Sequence, residues 1–288
     1  MENNIEERVI KLGDPEYPPQ LAVIDQPPQQ LYCRGNISLL KSFCVAVVGS
    51  RKLTKYGMWA AGAVSRKLAG AGVTVVSGMA KGADTCAHRG ALEEKGNTIA
   101  VLGCGLDITY PASNRALKEE IAHRGLLVTE YPYGYPATRY TFPARNRIIS
   151  GLSQAVVIAE AGNNSGSLIT AGFADDQGRS VYVIPANINN PGALGGNMLI
   201  RDGAMPLVIL NDLLDDLGVS RNVAGTEIKD LGYDEKRILD LIMESGEITD
   251  DEICAKFSLA PQKVNGILTV MEMKGIICSA LGKIFLAK

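Results

Sequence analysis

From Cys44 to Leu210, short apolar runs alternate with longer stretches whose apolar positions recur at helical spacing. The runs are Val45–Gly49, Val73–Ser77, Thr98–Leu102, Leu126–Glu130, Ala155–Ala159, Val181–Pro185 and Leu207–Leu210. Runs rich in valine and unbroken by polar positions read as strands buried on both faces of a parallel sheet, and the stretches between them read as crossover helices. Strict alternation of the two predicts an α/β doubly wound sheet with right-handed crossovers.

The run Val45–Val48 ends in Gly49-Ser50-Arg51, and helical spacing resumes after Tyr56. Residues Gly49 to Thr54 are therefore the first β-to-α loop. In an open α/β sheet such a loop lies at the carboxyl ends of the strands, where backbone N–H groups and a helix amino end favour an anion, and Arg51 adds a charge. A plain turn at Gly49 with Arg51 on a solvated surface fits the same residues. Two further strands end in comparable loops, Ser77-Gly78-Met79-Ala80-Lys81-Gly82-Ala83-Asp84 and Gly103-Cys104-Gly105-Leu106-Asp107. A third such loop is Glu160-Ala161-Gly162-Asn163-Asn164-Ser165-Gly166-Ser167. Each alone is ordinary turn chemistry, but their convergence at one sheet edge is the geometry of a ligand crevice.

The flanks break the pattern. Gly13 to Asn36 is proline-rich with little periodicity, so residues 1–43 are expected as an extension packed on the main domain at 44–217. Residues 218–232 read as a linker, and a second domain is expected at 233–288. There Ile238, Leu239, Leu241 and Ile242 mark a helix, Thr249-Asp250-Asp251-Glu252 starts a second, and Ala260-Pro261-Gln262 opens a third. A hairpin, Gly275–Cys278 with Lys283–Leu286 across Leu281-Gly282, completes the order of a winged helix. Glu247, Asp250, Asp251 and Glu252 surround its second helix, and only Lys256 and Lys263 lie near the third. A duplex reader wants a basic recognition helix, so the tail reads as a protein-contacting or regulatory module.

Composition narrows the chemistry. With 288 residues the chain is long enough for a large domain and a small one, and no run approaches the apolar length of a membrane span. The acidic, polar start Met1–Arg8 lacks the character of a secretory signal, which points to the cytoplasm. A formal net charge of −2 makes any phosphate recognition local rather than a whole-surface effect. Six cysteines without a C-x-x-C pair and only two histidines, His88 and His123, argue against a zinc site. There is no P-loop and no G-x-S-x-G elbow, and Gly103-x-Gly105 lacks the third glycine of a dinucleotide fingerprint. No catalytic constellation, metal or cofactor is expected.

One stretch is conspicuous: Arg139-Tyr140-Thr141-Phe142-Pro143-Ala144-Arg145-Asn146-Arg147, with three arginines, two aromatics and no acid, downstream of Tyr131, Tyr133 and Tyr135. Arginine forks suit phosphate oxygens and aromatic faces suit unpaired bases, a composition fitting a single-strand groove. A structural reading stands beside it: Phe142 in the core, Arg145 or Arg147 paired with an internal carboxylate, Asn146 tying the loop backbone.

These residues resemble the DNA-processing protein A family, also called DprA or Smf. The likeness runs through Val45–Arg51 with Thr54 and Tyr56-Gly57, Ser77–Asp84 with Ala87-His88, and Thr98–Asp107 with Tyr110-Pro111. It continues through Glu130-Tyr131-Pro132, Phe142–Ile149, Ser165–Ala171, and Gly196-Asn197 with Leu199-Ile200 and Gly203-Ala204. The resemblance implies an extended Rossmann-like fold, binding of single-stranded DNA, and loading of the recombinase RecA in natural transformation. It implies a DNA- and phosphate-binding set of Gly49, Ser50, Arg51, Lys52, Gly78, Lys81, Gly82, Arg139, Phe142, Arg145, Asn146, Arg147, Ser165, Gly166 and Ser167. Some relatives carry a lysine after the Tyr-Pro pair where this chain has Ala112, and Arg115 is the candidate to replace it. It also implies a homodimer built on the apolar edge run Met205–Leu210, with Met198, Ile200 and Leu207 in the contact and RecA engaging an overlapping surface. Covering of that run within one chain is the alternative. A different class of function, a nucleotide-processing Rossmann-type enzyme acting on a free nucleoside phosphate, would use the same crevice.

Overall fold

The computed structural model describes residues 5–219, 231–245, 247–257, 259–273, 276–280 and 282–286. The chain divides into two compact units, Met1–Ser220 and Arg221–Lys288. Most of the expected linker, residues 220–230, lies outside the described residues.

In the first unit the segment before Cys44 builds part of the sheet. Strands β1 (Glu7–Lys11) and β2 (Gln30–Gly35) flank the one-turn helix α1 (Pro19–Ala22) and pair antiparallel with each other. Gln30-Leu31-Tyr32-Cys33 alternates, placing Leu31 and Cys33 in the core, and this two-residue period is the strand signal that the prolines on either side obscure. The expected extension therefore shares the main sheet rather than only lying against it.

The parallel part follows the predicted alternation: β3 (Cys44–Val48), α2 (Lys55–Gly70), β4 (Thr74–Ser77), α3 (Ala83–Glu93), β5 (Thr98–Val101), α4 (Arg115–Arg124) and β6 (Leu126–Thr129). Then come α5 (Thr141–Gly151), β7 (Ala155–Ile158), α6 (Ser167–Asp176), β8 (Ser180–Val183), α7 (Leu194–Arg201), β9 (Met205–Pro206) and α8 (Leu210–Asp216). The sheet order is β1-β2-β6-β5-β4-β3-β7-β8-β9, with β2 antiparallel to β6 and every pair from β6 to β9 parallel. Alternate residues of β3 face opposite cores. Val45 and Val47 pack with Ala60, Val64 and Leu68 of α2, whereas Ala46 and Val48 pack with Ile148 and Ile149 of α5 and Ala171 of α6. The chain winds outward from β3 in both directions, so the topological switch point lies between β3 and β7.

The last expected strand is corrected. Only Met205–Pro206 pairs with β8, Leu207 turns inward to 4% exposure, and the run ends in α8. Proline cannot donate to a ladder, and Leu207 joins the core that holds Leu213 and Leu214 of α8. Leu207 is thus core, and Ile200 packs partly against the other core. The exposed apolar residues at this edge are Met205, Val208 and Ile209.

The second unit contains α9 (Tyr233–Ser245), α10 (Asp250–Phe257), α11 (Pro261–Met273) and the antiparallel pair β10 (Ile277–Ala280) and β11 (Lys283–Leu286). Ile238, Ile242, Ile253, Val264, Met271, Ile277 and Ile284 form its core. The predicted cap is present: Thr249 N–H donates to Glu252 at 2.8 Å and Glu252 N–H donates to the Thr249 hydroxyl at 3.3 Å. Gly275 and Leu281 of the expected hairpin lie outside the described residues. Among the described residues no helix is long and apolar enough to cross a membrane.

Candidate nucleic-acid interface

The loop after β3 is held by a residue from the strand beside it. Glu160, at the end of β7 and 2% exposed, accepts from Thr54 N–H at 3.1 Å and from the Thr54 hydroxyl, and its carbonyl accepts from Ser50 N–H at 2.7 Å. Thr54 in turn caps α2 by accepting from Gly57 N–H at 3.0 Å. A side chain at Gly49 would meet the Ala83 Cβ at 2.8 Å and the Glu160 carbonyl at 2.9 Å, so glycine is the residue that lets the two loops close on each other. Gly82, at φ +76°, lets the next loop approach Ser50, whose carbonyl accepts from Ala83 N–H at 3.1 Å.

Ser50 is occupied locally, its hydroxyl accepting from Lys52 N–H at 3.1 Å and donating to the Lys52 carbonyl at 3.0 Å. This turn leaves Arg51 and Lys52 exposed, with the Arg51 guanidinium 5.2 Å from the centre of the Phe142 ring. The Tyr110 ring also packs against Phe142, tilted with ring centres 5.1 Å apart, and Tyr110 is 48% exposed. Together they border an open groove of about 720 Å³ at the β3–β7 switch point. Gly49, Arg139, Asn164, Ser165, Gly166, Ser167, Ile169 and Thr170 also line it. Arg139 lies over the Tyr140 ring at 4.7 Å and donates to its hydroxyl, and Tyr140 is 69% exposed. Cations, hydroxyls and open aromatic faces on one groove suit a ligand that carries both phosphates and planar rings.

Arg145 serves differently from the surface cations. It is 4% exposed, and one Nη donates to the carbonyls of Gly78 and Val101, at the ends of β4 and β5, while Nε donates to Asn146 Oδ1 at 3.2 Å. Burial pulls its pKa down and the Asp84 carboxylate acts against that. Burial pushes Asp84 up, opposed by Arg145, by the Ala80 N–H at 3.1 Å and by Arg51. Arg145 and Asp84 act on each other electrostatically, and both line the groove. A Cβ on Gly78 would collide with the guanidinium, which explains the glycine. Asn146 ties Arg145 to the β7–α6 loop, donating to the Gly166 carbonyl at 3.1 Å.

Five sequence candidates do not line the groove: Gly78 and Gly82, which serve the packing described above, and Arg147, Arg115 and Lys81. Arg147 does not shape the groove: it forms a two-pronged ion pair with Glu130 at 2.7 and 3.0 Å and donates to the Gln26 carbonyl at 3.1 Å, clamping the amino-terminal segment to α5. Arg115 lines a separate recess with Ala112, Asp107 and Lys118. Lys81 is exposed beside the groove without lining it. Conversely, sequence reasoning missed Glu160 and Asp84 as supporting residues. For Glu160 the available signal was an acid at the end of the apolar run Ala155–Ala159, where only an internal donor offsets the cost of burial; Asp84 carries no such signal.

The sequence profile of the DNA recombination-mediator protein A family matches residues 8–218. Protein Smf of Escherichia coli is 43% identical over 202 residues, covering 70% of this chain and 54% of that protein. DNA processing protein DprA of Streptococcus pneumoniae is 43% identical over 198 residues, 69% of this chain and 70% of that one. This chain spans about half the length of two of the Smf relatives it matches, 54% in Escherichia coli and 52% in Synechocystis. The X-ray structure of the Streptococcus pneumoniae protein superposes with a TM-score of 0.70 at 40% identity, covering 73% of this chain and 74% of that chain. A DprA structure from Helicobacter pylori, described for its single-stranded DNA binding mode, gives 0.68 at 31% identity, with 75% and 98% covered. A profile matching nearly the whole first unit, joined to folds that share its sheet, makes this chain a member of the DNA recombination-mediator protein A family.

Proposed function

We propose that the groove holds single-stranded DNA and that the protein acts without chemical turnover, presenting the bound strand to RecA in DNA recombination. The observation that carries this reading is Arg51, an exposed cation that pairs with no carboxylate among the described residues, set against Phe142 and beside Tyr110. That arrangement offers charge to a phosphate and the exposed Tyr110 ring to a base. The relative described as a single-stranded DNA binder has the same fold over three quarters of this chain.

Assembly follows from the β9 edge. A two-residue strand with Val208 and Ile209 exposed beside it is an apolar edge suited to a second copy, giving a homodimer whose two grooves share one strand and whose edge overlaps the surface RecA engages. Met198 and Ile200 on α7 flank this contact. The second unit is a winged helix that contacts protein rather than duplex DNA, in keeping with the acids around α10. The work is cytoplasmic, as recombination on DNA requires.

Fluorescence anisotropy with oligothymidylates of increasing length, set against thymidine monophosphate, tests the reading. A strand binder gains affinity with length because each phosphate contributes weakly and only the sum holds, and Arg51→Ala costs it roughly 1–3 kcal/mol. Saturation and turnover of the mononucleotide, or unchanged strand affinity in a folded Arg51→Ala protein, would overturn it in favour of the nucleotide-processing enzyme or of another site.

A further inference from the structure

The first turns of α2 carry the makings of a base platform that the groove does not use. Residues 49–59 hold three cations, Arg51, Lys52 and Lys55, two aromatics, Tyr56 and Trp59, and no acid. All five of these residues are exposed, Trp59 to 57%. Arg51 and Lys52 line the groove, whereas Lys55, Tyr56 and Trp59 do not.

The two rings are built into a rigid stack. Trp59 lies on Tyr56 with ring centres 5.8 Å apart and planes at 29°, and the Tyr56 hydroxyl donates to the Pro185 carbonyl at 3.1 Å, just past the end of β8. Tyr56 is therefore fixed at both ends and backs one face of the indole, so the exposure of Trp59 is that of its outer face and edges. Lys55 precedes Trp59 by one helical turn and shares its side of α2, which sets an ammonium next to the indole. The segment beyond Pro185 adds no repulsion, since residues 184–200 carry no charge. Glu160, which a Cβ on Gly57 would touch, is buried and accepts from Thr54.

The stack is within reach of the groove along a fixed piece of chain. Three residues lead from Lys52 to Lys55, with Thr54 among them held by Glu160, and one turn of α2 leads on to Trp59. That path is at most about 17 Å, which about five nucleotides of a stacked strand cover.

We propose that a single strand longer than the groove continues past Lys52 along the start of α2, where a base stacks on the outer face of Trp59 and Lys55 holds the adjoining phosphate. The proposal rests on the reading of the groove as a single-strand site. Its consequence is a length threshold: Trp59 contributes nothing to strands that fill the groove alone and begins to contribute once the strand extends beyond Lys52.

Trp59 is the only tryptophan of the chain, so indole emission reports on this position alone. The test follows that emission, and in parallel the anisotropy of labelled oligothymidylates of about 4 to about 20 nucleotides at low salt, on the full chain. Short strands are expected to bind without changing the emission, and long strands to quench it. Trp59→Ala should bind the shortest strands as the unchanged protein does and the longest about tenfold more weakly, with Trp59→Tyr retaining most of the long-strand affinity. Lys55→Ala should reduce the slope of log affinity against log salt by about 0.7 for long strands only. Emission unmoved by saturating long strands, or a Trp59→Ala protein that binds every length normally, overturns the platform. An equal loss at all lengths also overturns it, making Trp59 a support of the Arg51 loop. Emission that follows protein concentration and ignores strand length overturns it in favour of contact with a second copy. Arg51→Ala separates the two readings: if it weakens every length while Trp59 gives no response, only the extension fails, and if it weakens none, the groove reading fails and the extension with it.

Discussion

Replacing Arg145 by methionine separates a supporting role from a ligand-binding one. The side chain is 4% exposed and donates to two strand-end carbonyls and to Asn146, while its charge faces the burial cost of Asp84. Methionine keeps most of the volume but takes away those donors and the positive charge. A hydrogen bond from a charged group contributes about 1.5–3 kcal/mol, and the three that Arg145 makes share one side chain and do not add in full. Arg145→Met is therefore expected to destabilise the first unit by about 4 kcal/mol and lower its thermal midpoint by roughly 10 °C. Urea unfolding at neutral pH, followed by tyrosine fluorescence, reads the first quantity. Arg145→Met combined with Asp84→Asn should recover part of the loss, because the buried carboxylate is then gone. A variant as stable as the parent to within about 1 kcal/mol, yet deficient in strand binding, would refute the reasoning and make Arg145 a direct DNA contact.

A buried histidine and the β9 edge carry two further testable outcomes. His88 is fully buried, with Nδ1 2.7 Å from the Thr98 hydroxyl oxygen, and burial lowers its pKa to about 3. Its unfolded value is about 6.5, so the neutral ring stabilises the fold fully above that pH, and this contribution is lost toward pH 3 at about 1.4 kcal/mol per unit. Between pH 7 and 5, His88→Gln should then lose about 2 kcal/mol less than the parent in urea titrations, and parallel losses would exclude the assignment. At the sheet edge, Val208→Asp, at a position 75% exposed, should give folded monomers by light scattering, whereas Leu207→Asp should unfold the α8 cover instead. A parent protein that is monomeric at tens of micromolar, or a dimer untouched by Val208→Asp, would remove the edge from the interface.

Periodicity alone determined much of this protein. Six of the seven predicted parallel strands fall within a residue or two of their positions, because a buried parallel strand must be continuously apolar and its helix must show the longer period. The position of the crevice was legible too, since glycine- and hydroxyl-rich loops at strand ends can only meet at the carboxyl edge. The capping box at Thr249 and the proline opening α11 are local chemistry, visible as such. Tertiary structure decided what local pattern does not encode. Arg51, Arg145 and Arg147 are alike as sequence, yet one faces solvent beside an aromatic ring, one supports two strand-end carbonyls, and one clamps Glu130. Which of these a given arginine does depends on the acceptors that non-local strands deliver to it, and an arginine carries no information about its partners. The same holds for Glu160, whose Thr54 donors lie 106 positions away, and for β2, whose ladder to β6 joins segments far apart in the chain. Leu207 had the pattern of an edge strand but became core because α8 folds back over it, a choice made by packing between elements rather than within one.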